Sequence, residues 1–433
     1  MTSIELNSDF IRILDLMEKS PQSLFLTGKA GTGKSTLLSY FREHTRKSVV
    51  VLASTGVAAL NVKGETIHSF FRFGTTVTPE SARKTAAKIK KTDFYEAIQT
   101  IVIDEISMVR ADVFECVDIF LRTVCKTTKP FGGKKMILIG DLMQLPPVLT
   151  REDSVYFHEL YASPYFFSAE VMANPHFEWQ RVELEKVFRQ QDPLFIEFLN
   201  AVRDNTLSES HLQSFNRQCY KKKQDIDEGC VVLTTTNKKA DLFNQKKLLT
   251  LASVERVFSA KISEEFDSKY APAETELQLK AGAQVMFLNN DMGNRWVNGT
   301  IGCVNRIDDQ FETPAILVDL PEGTQVTVFP HTWELFKYRF DTDSKALSQE
   351  KVGDYTQYPL KLAWAMTIHK SQGKTFDKVI IDLESGAFAH GQTYVALSRC
   401  RSIDGIGLTV PLKKRDIVID KRVLEFLDSI NFG

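Results

Sequence analysis

Eight consecutive residues, Gly28-Lys29-Ala30-Gly31-Thr32-Gly33-Lys34-Ser35, have the types and spacing to hold a polyphosphate. Glycines permit a sharp turn that aims successive backbone N–H groups inward at phosphate oxygens. Lys34 reaches the β- and γ-phosphates of a bound triphosphate, and the Ser35 hydroxyl ligates Mg²⁺. The nucleotide-contacting set is Gly28, Ala30, Gly31, Thr32, Gly33, Lys34, Ser35 and Thr36. Such a loop needs a strand before it and a helix after it. Ser23-Leu24-Phe25-Leu26-Thr27 is a short apolar strand, and Thr36-Leu37-Leu38-Ser39-Tyr40-Phe41 starts a helix whose positive end faces the same anion. Without that context the stretch is a glycine-rich connection.

A second strand, Thr100-Ile101-Val102-Ile103, runs straight into Asp104 and Glu105. Asp104 suits the Mg²⁺ shell, and Glu105 suits orienting and activating a water for attack on the γ-phosphate. Alone, the pair is an ordinary surface feature; the upstream loop favours the hydrolytic reading. A third strand, Lys135-Met136-Ile137-Leu138-Ile139, leads to Gln144, a sensor amide or a polar loop residue before Pro146-Pro147. With Val49-Val50-Val51-Leu52-Ala53, these strands alternate with helices, the pattern of a mostly parallel sheet binding ligand at its carboxyl edge.

The 433 residues, at roughly 150 per domain, imply two to four domains. Hydrophobic content of 43% and charged content of 25% describe an ordinary globular chain. No apolar run is long enough to span a bilayer, and no secretory signal is visible. Six cysteines lie singly, with no C-x-x-C pair, which argues against zinc and disulfide frameworks and for a reducing compartment. Net charge is −1, so any nucleic-acid binding comes from local patches.

Four blocks stand in order, GKAGTGKS, ASTGVAALNVKGETIHSFF, VIDEISMV and ILIGDLMQLPPV, followed far downstream by LKLAWAMTIHKSQG and YVALSRCR. This set resembles the superfamily 1 DNA helicases of 5′-to-3′ polarity, and within them the petite integration frequency family with its RecD-like relatives. The resemblance implies an α/β fold of two RecA-like motor domains: 1–71 with 96–186, and 187–290 with 358–433. A small helical wedge insertion falls at 72–95 and an SH3-like β insertion at 291–357. It implies ATP as substrate with Mg²⁺ at Ser35 and Asp104, and hydrolysis by Glu105, Gln144, Arg189 and Arg399. In this reading the two arginines reach the triphosphate from across the cleft, and Gly373 joins the nucleotide set. Arg401 competes with Arg399, but an ion pair suits it better. The DNA track passes Thr55, Gly56, His68, Phe70, Thr235, Asn237, His369, Ser371 and Gln372. Viewed singly, His68 reads as structural and Phe70 as core.

The implied partners are single-stranded and forked duplex DNA, with G-quadruplexes, DNA–RNA hybrids and bound proteins as further candidate obstacles, and no membrane. A monomer without DNA and a cytoplasmic, bacterial or phage-like setting are expected, or a nuclear or mitochondrial one in a eukaryote. Two rival readings stay open: a nucleotide-gated clamp that does not unwind, and a motor on RNA. One departure stands out. The family's opening Leu-x-x-[Glu/Asp]-Gln is here Leu6-Asn7-Ser8-Asp9-Phe10, with Phe10 where an adenine-reading Gln is expected and Asn7 a substitute amide. Lys84, Lys88 and Lys91 share a helical face in 72–95, either a solvated face or a DNA contact. Ala315–Leu320 and Gln325–Phe329 flank a turn and read as a hairpin.

Overall fold

The computed structural model describes residues 7–74, 76–149, 157, 159–220, 229–263, 266, 271–321, 323–341, 346–383 and 386–430. Leu6 of the opening motif and Glu322 of the hairpin turn lie outside them.

The first half is built on a six-stranded sheet with every pairing parallel. Its spatial order is Glu65–Thr66, Val49–Ala53, Thr100–Asp104, Lys135–Ile139, Ser23–Gly28 and Trp179–Leu184. Three central strands, Ser23–Gly28, Thr100–Asp104 and Lys135–Ile139, are buried along their whole length, as helices on both faces require. Their carboxyl ends deliver Gly28, Asp104 and Gly140 to one edge, where a doubly wound sheet places its ligand. The second half carries a four-stranded parallel sheet, ordered Ala365–Thr367, Val231–Thr234, Val379–Asp382 and Ile406–Leu408. Two motor domains, each α/β, are therefore present.

Segment 72–95 is less separate than the sequence suggests. A capping box formed by Thr78 and Ser81 starts the helix Pro79–Ala87, which lies on the helix Ala111–Val124. Ala82, Ala86 and Tyr95 join the first domain's own core. Lys84, Lys88 and Lys91 are exposed, and Lys84 pairs with Glu80 at 2.6 Å.

The β insertion is wider than 291–357. The predicted hairpin forms, pairing Ala315–Asp319 with Gln325–Val328, but its sheet is completed by Gln284–Phe287 and Leu360–Leu362. The boundary moves because these flanking strands have no partner in the motor sheet. A long antiparallel arm, His331–Asp341 with Ala346–Gln357, reaches back to the first domain. There the Tyr338 hydroxyl accepts from Val51 N (2.9 Å), Tyr338 N donates to Glu65 Oε1 (2.7 Å) and Gln349 Nε2 donates to the Lys63 carbonyl (2.8 Å).

A second boundary also shifts. The helix Lys421–Ser429 follows the second domain in sequence but packs on the first. Val423 enters the first core, Phe426 stacks on Phe167 at 4.2 Å, and Arg181 donates to the Leu427 carbonyl.

Candidate active site

The phosphate loop adopts the backbone its glycines were expected to allow. Gly31 and Gly33 have φ of +83° and +87°, and Gly33 caps the helix Lys34–His44. Both also lack room for a side chain: a Cβ would lie 2.4 Å from Arg189 Cβ at Gly31 and 2.9 Å from the Phe10 ring at Gly33. Lys34 folds back onto the loop, donating to the carbonyls of Gly28 (2.6 Å) and Lys29 (3.1 Å). Burial pulls its ammonium below lysine's usual value, opposed by Asp141, Glu105 and Asp104. Thr32 donates its hydroxyl to the Lys29 carbonyl, while Ser35 and Thr36 stand exposed on the first helical turn.

Asp104 and Glu105 follow one another on opposite sides of a bend, because Glu105 sits in the left-handed region at φ 51°. Burial, then the neighbouring Glu105, drives the Asp104 carboxyl well above the usual carboxylate range. Burial raises Glu105 too, opposed by Lys34 and Arg399. Two crowded, desolvated carboxylates favour a cation beside them. Asp104 and the Ser35 hydroxyl are hard oxygen donors, so the residues fit Mg²⁺, which takes few protein ligands and completes its shell from phosphate and water.

Gln144 is anchored rather than free. Its Nε2 donates to Asp141 Oδ2 (3.2 Å), and Asp141 also pairs with Arg203 at 3.4 Å in a buried contact. The sequence reading missed Asp141 and Arg203; the only signal was an acid at the same strand end as Gln144.

From the second half, Arg399 enters almost fully buried. Its guanidinium donates to the carbonyls of Val395, Ser371 and Lys374 and to Ser398 Oγ. Burial, then nearby Arg189, holds it below arginine's usual range. Arg189 donates to the Ser398 carbonyl (3.3 Å), and Gln190 to those of Ser398 and Cys400. Just before them, Phe188 N donates to the Gly31 carbonyl, so this short segment is fastened to both halves. Tyr394 adds a second bridge that the sequence reading assigned no role, its hydroxyl accepting from Ala30 N at 3.1 Å. Arg401 pairs with Asp377 at 3.1 Å, both well exposed, within the second half.

A cleft of about 430 Å³ collects these groups, lined by Ala30–Thr36, Glu105 and Gln144 on one side and Gly373, Thr375, Arg399 and Arg401 on the other. Phe188 and Arg189 close it between the halves.

The expected DNA-contact residues divide. Thr55, Gly56 and Asn237 are open or partly open at helix starts, and His68 and His369 are half-buried. Burial keeps the His369 imidazole below its usual pKa. Four others are corrected. Phe70 is a core residue, packed against Phe71, Phe94, Tyr95 and Tyr338. Thr235 is buried at the end of its strand, and Ser371 spends its buried hydroxyl on the Ile368 carbonyl. Gln372 faces the nucleotide cleft instead, donating to Glu105 Oε2 at 3.2 Å. Asn7 is likewise no free amide, because its Oδ1 caps the first helix by accepting from Phe10 N.

The architecture and this cleft have close counterparts. Residues 5–212 match the family model described as PIF1-like helicase. The ATP-dependent DNA helicase Pif1 of Bdellovibrio bacteriovorus is 34% identical over 437 residues, covering 98% of this chain and 92% of that protein. The chain belongs to the PIF1-like helicase family. Within that family, Bacteroides sp. Pif1 in complex with ADP-AlF4 superposes with a TM-score of 0.89 at 33% identity, covering 98% of this chain and 96% of the other. Bacteroides Pif1 bound to single-stranded DNA, at the same identity and coverage, superposes at 0.68. Among the described residues, no helix of this PIF1-like chain is long and apolar enough to cross a membrane.

Proposed function

We propose that this ATP-dependent DNA helicase moves 5′ to 3′ along single-stranded DNA and opens forked duplexes. One observation carries the reading: a single cleft is lined by a phosphate loop, carboxylate and amide from one motor domain and by arginines from the other. Lys34 and the loop N–H groups bind the triphosphate. Glu105 orients and activates the attacking water, and Gln144, held by Asp141, senses the γ-phosphate. Arg189 and Arg399 neutralise the charge that develops on the transferring group. Mg²⁺ held by Ser35 and Asp104 supplies charge neutralisation at the phosphates.

Because the groups come from both domains, hydrolysis requires a closed cleft, and loss of the γ-phosphate removes what holds it shut. Thr55, Gly56, His68, Asn237 and His369 line the strand's path across both domains, and segment 72–95 meets the fork. The monomer is the translocating unit, and G-quadruplexes and DNA–RNA hybrids are further obstacles it opens.

Strand displacement with ATP and Mg²⁺ on two forks, differing only in a 5′ or a 3′ loading tail, tests the reading. Unwinding from the 5′ tail alone is expected. Unwinding from the 3′ tail alone overturns the direction. Failure on both, with DNA-stimulated hydrolysis intact, replaces the unwinding motor with a clamp.

A further inference from the structure

The cleft holds the triphosphate with many groups, yet the place for the base offers few. Moving outward along the first turn of the helix Lys34–His44, away from Glu105 and Gln144, the one aromatic side chain lining the cleft is Phe188. It is 48% exposed, although its backbone is tied to Gly31. Its ring meets Phe10 edge-on with centroids 6.2 Å apart, and Phe10 is in turn wedged against Gly33. The Lys186 ammonium lies 5.1 Å from the Phe188 centroid. An apolar shelf thus stands at the outer end of the phosphate loop, supported from below and from the side.

What is missing at that shelf is a group able to tell adenine from guanine. The two purines present opposite hydrogen-bonding patterns on the edge that differs, so discrimination needs a fixed donor and acceptor. Asn7 has committed its carbonyl oxygen to its helix cap, and Gln144 has committed its amide nitrogen to Asp141. The remaining neutral polar side chains of the lining, on Thr32, Ser35, Thr36 and Thr375, are hydroxyls. A hydroxyl rotates to donate or accept and so serves either purine.

We infer that Phe188 is the base platform, and that this site takes purine nucleoside triphosphates by stacking without distinguishing ATP from GTP. The inference rests on the helicase reading for the site's substrate being a triphosphate, and it adds which bases qualify. Sites built to hydrogen-bond a substrate group reject its analogue by about 10⁴-fold or more. A stacking shelf cannot.

The test is displacement of a ribose-labelled fluorescent ADP by ADP and by GDP, which reads the base site whether or not hydrolysis occurs. Affinities within about tenfold of each other are expected, against the 10⁴-fold of a reading pocket. A preference for ADP beyond about 100-fold overturns the inference. Phe188→Ala and Phe188→Leu should weaken both nucleotides about tenfold, the scale of one lost base–aromatic stack, and Phe188→Tyr should restore them. Unchanged affinity in the Ala and Leu variants removes Phe188 from the base site. DNA-stimulated hydrolysis of ATP and GTP is measured in parallel: a protein that binds both nucleotides equally but hydrolyses neither contradicts the motor reading alone.

Discussion

Gln372 and Glu105 lie 267 residues apart and on different motor domains, yet the Gln372 amide donates to the Glu105 carboxylate at 3.2 Å. The residue follows Ser371 directly in the segment expected to track DNA. Its side chain turns inward because Ser371 is buried, with its backbone carbonyl held by Arg399. A strand bound along this segment and the water-activating carboxylate are therefore one residue apart. Replacing Gln372 with Ala removes a hydrogen bond to a charged group, the kind that contributes about 1.5–3 kcal/mol. DNA-stimulated turnover is expected to drop about tenfold or more on that scale, with ADP affinity unchanged. Full stimulation in the variant would show that the contact transmits nothing.

Arg399 is fixed by four acceptors of its own domain before any nucleotide arrives. Such preorganisation is what charge stabilisation in a transition state demands. Arg399→Lys keeps the charge but loses the planar fork. Turnover should fall about 10³-fold, the lower end of an arginine-finger loss, while ADP still binds. Titration of ADP beside steady-state hydrolysis separates the two, and a variant retaining a tenth of wild-type turnover would remove Arg399 from the chemistry.

Phe70 supports the fold rather than DNA. It is 5% exposed inside an aromatic cluster that includes Tyr338 of the arm. Phe70→Ala should cost about 3–5 kcal/mol in urea denaturation, as core Phe truncations do. Near-native stability with weakened single-strand binding would instead return Phe70 to the DNA track.

Glu65, buried beneath the arm, gives a pH signature. Burial raises its carboxyl above the 4.5 of a free glutamate, opposed by the Tyr338 N–H and the Ser69 hydroxyl. The folded chain thus holds this proton to higher pH than the unfolded chain. Its contribution to stability is complete below 4.5 and declines as pH rises through the raised folded value. Glu65→Gln cannot titrate, so the variant's melting temperature should gain on wild type between pH 4.5 and 8. Parallel melting curves across that range would show that Glu65 is ionised and at no disadvantage in the fold.

The sequence by itself determined the nucleotide loop, the carboxylate pair and the parallel motor sheets, because each is a local device. A strand, a turn and a helix start suffice to aim N–H groups at phosphate, and adjacent residues need no distant partner to be legible. Lys84, Lys88 and Lys91 were likewise readable as an exposed helical face from their spacing alone. Only the tertiary structure decided what depends on packing between segments far apart. Tyr394 reaches Ala30, Arg203 pairs with Asp141, and Gln372 turns toward Glu105, and no spacing rule encodes contacts of that range. The same holds for the terminal helix Lys421–Ser429, whose apolar face is visible in sequence but whose partner is not. An amphipathic stripe states that a surface will be buried; the stability of the whole fold selects the surface that covers it.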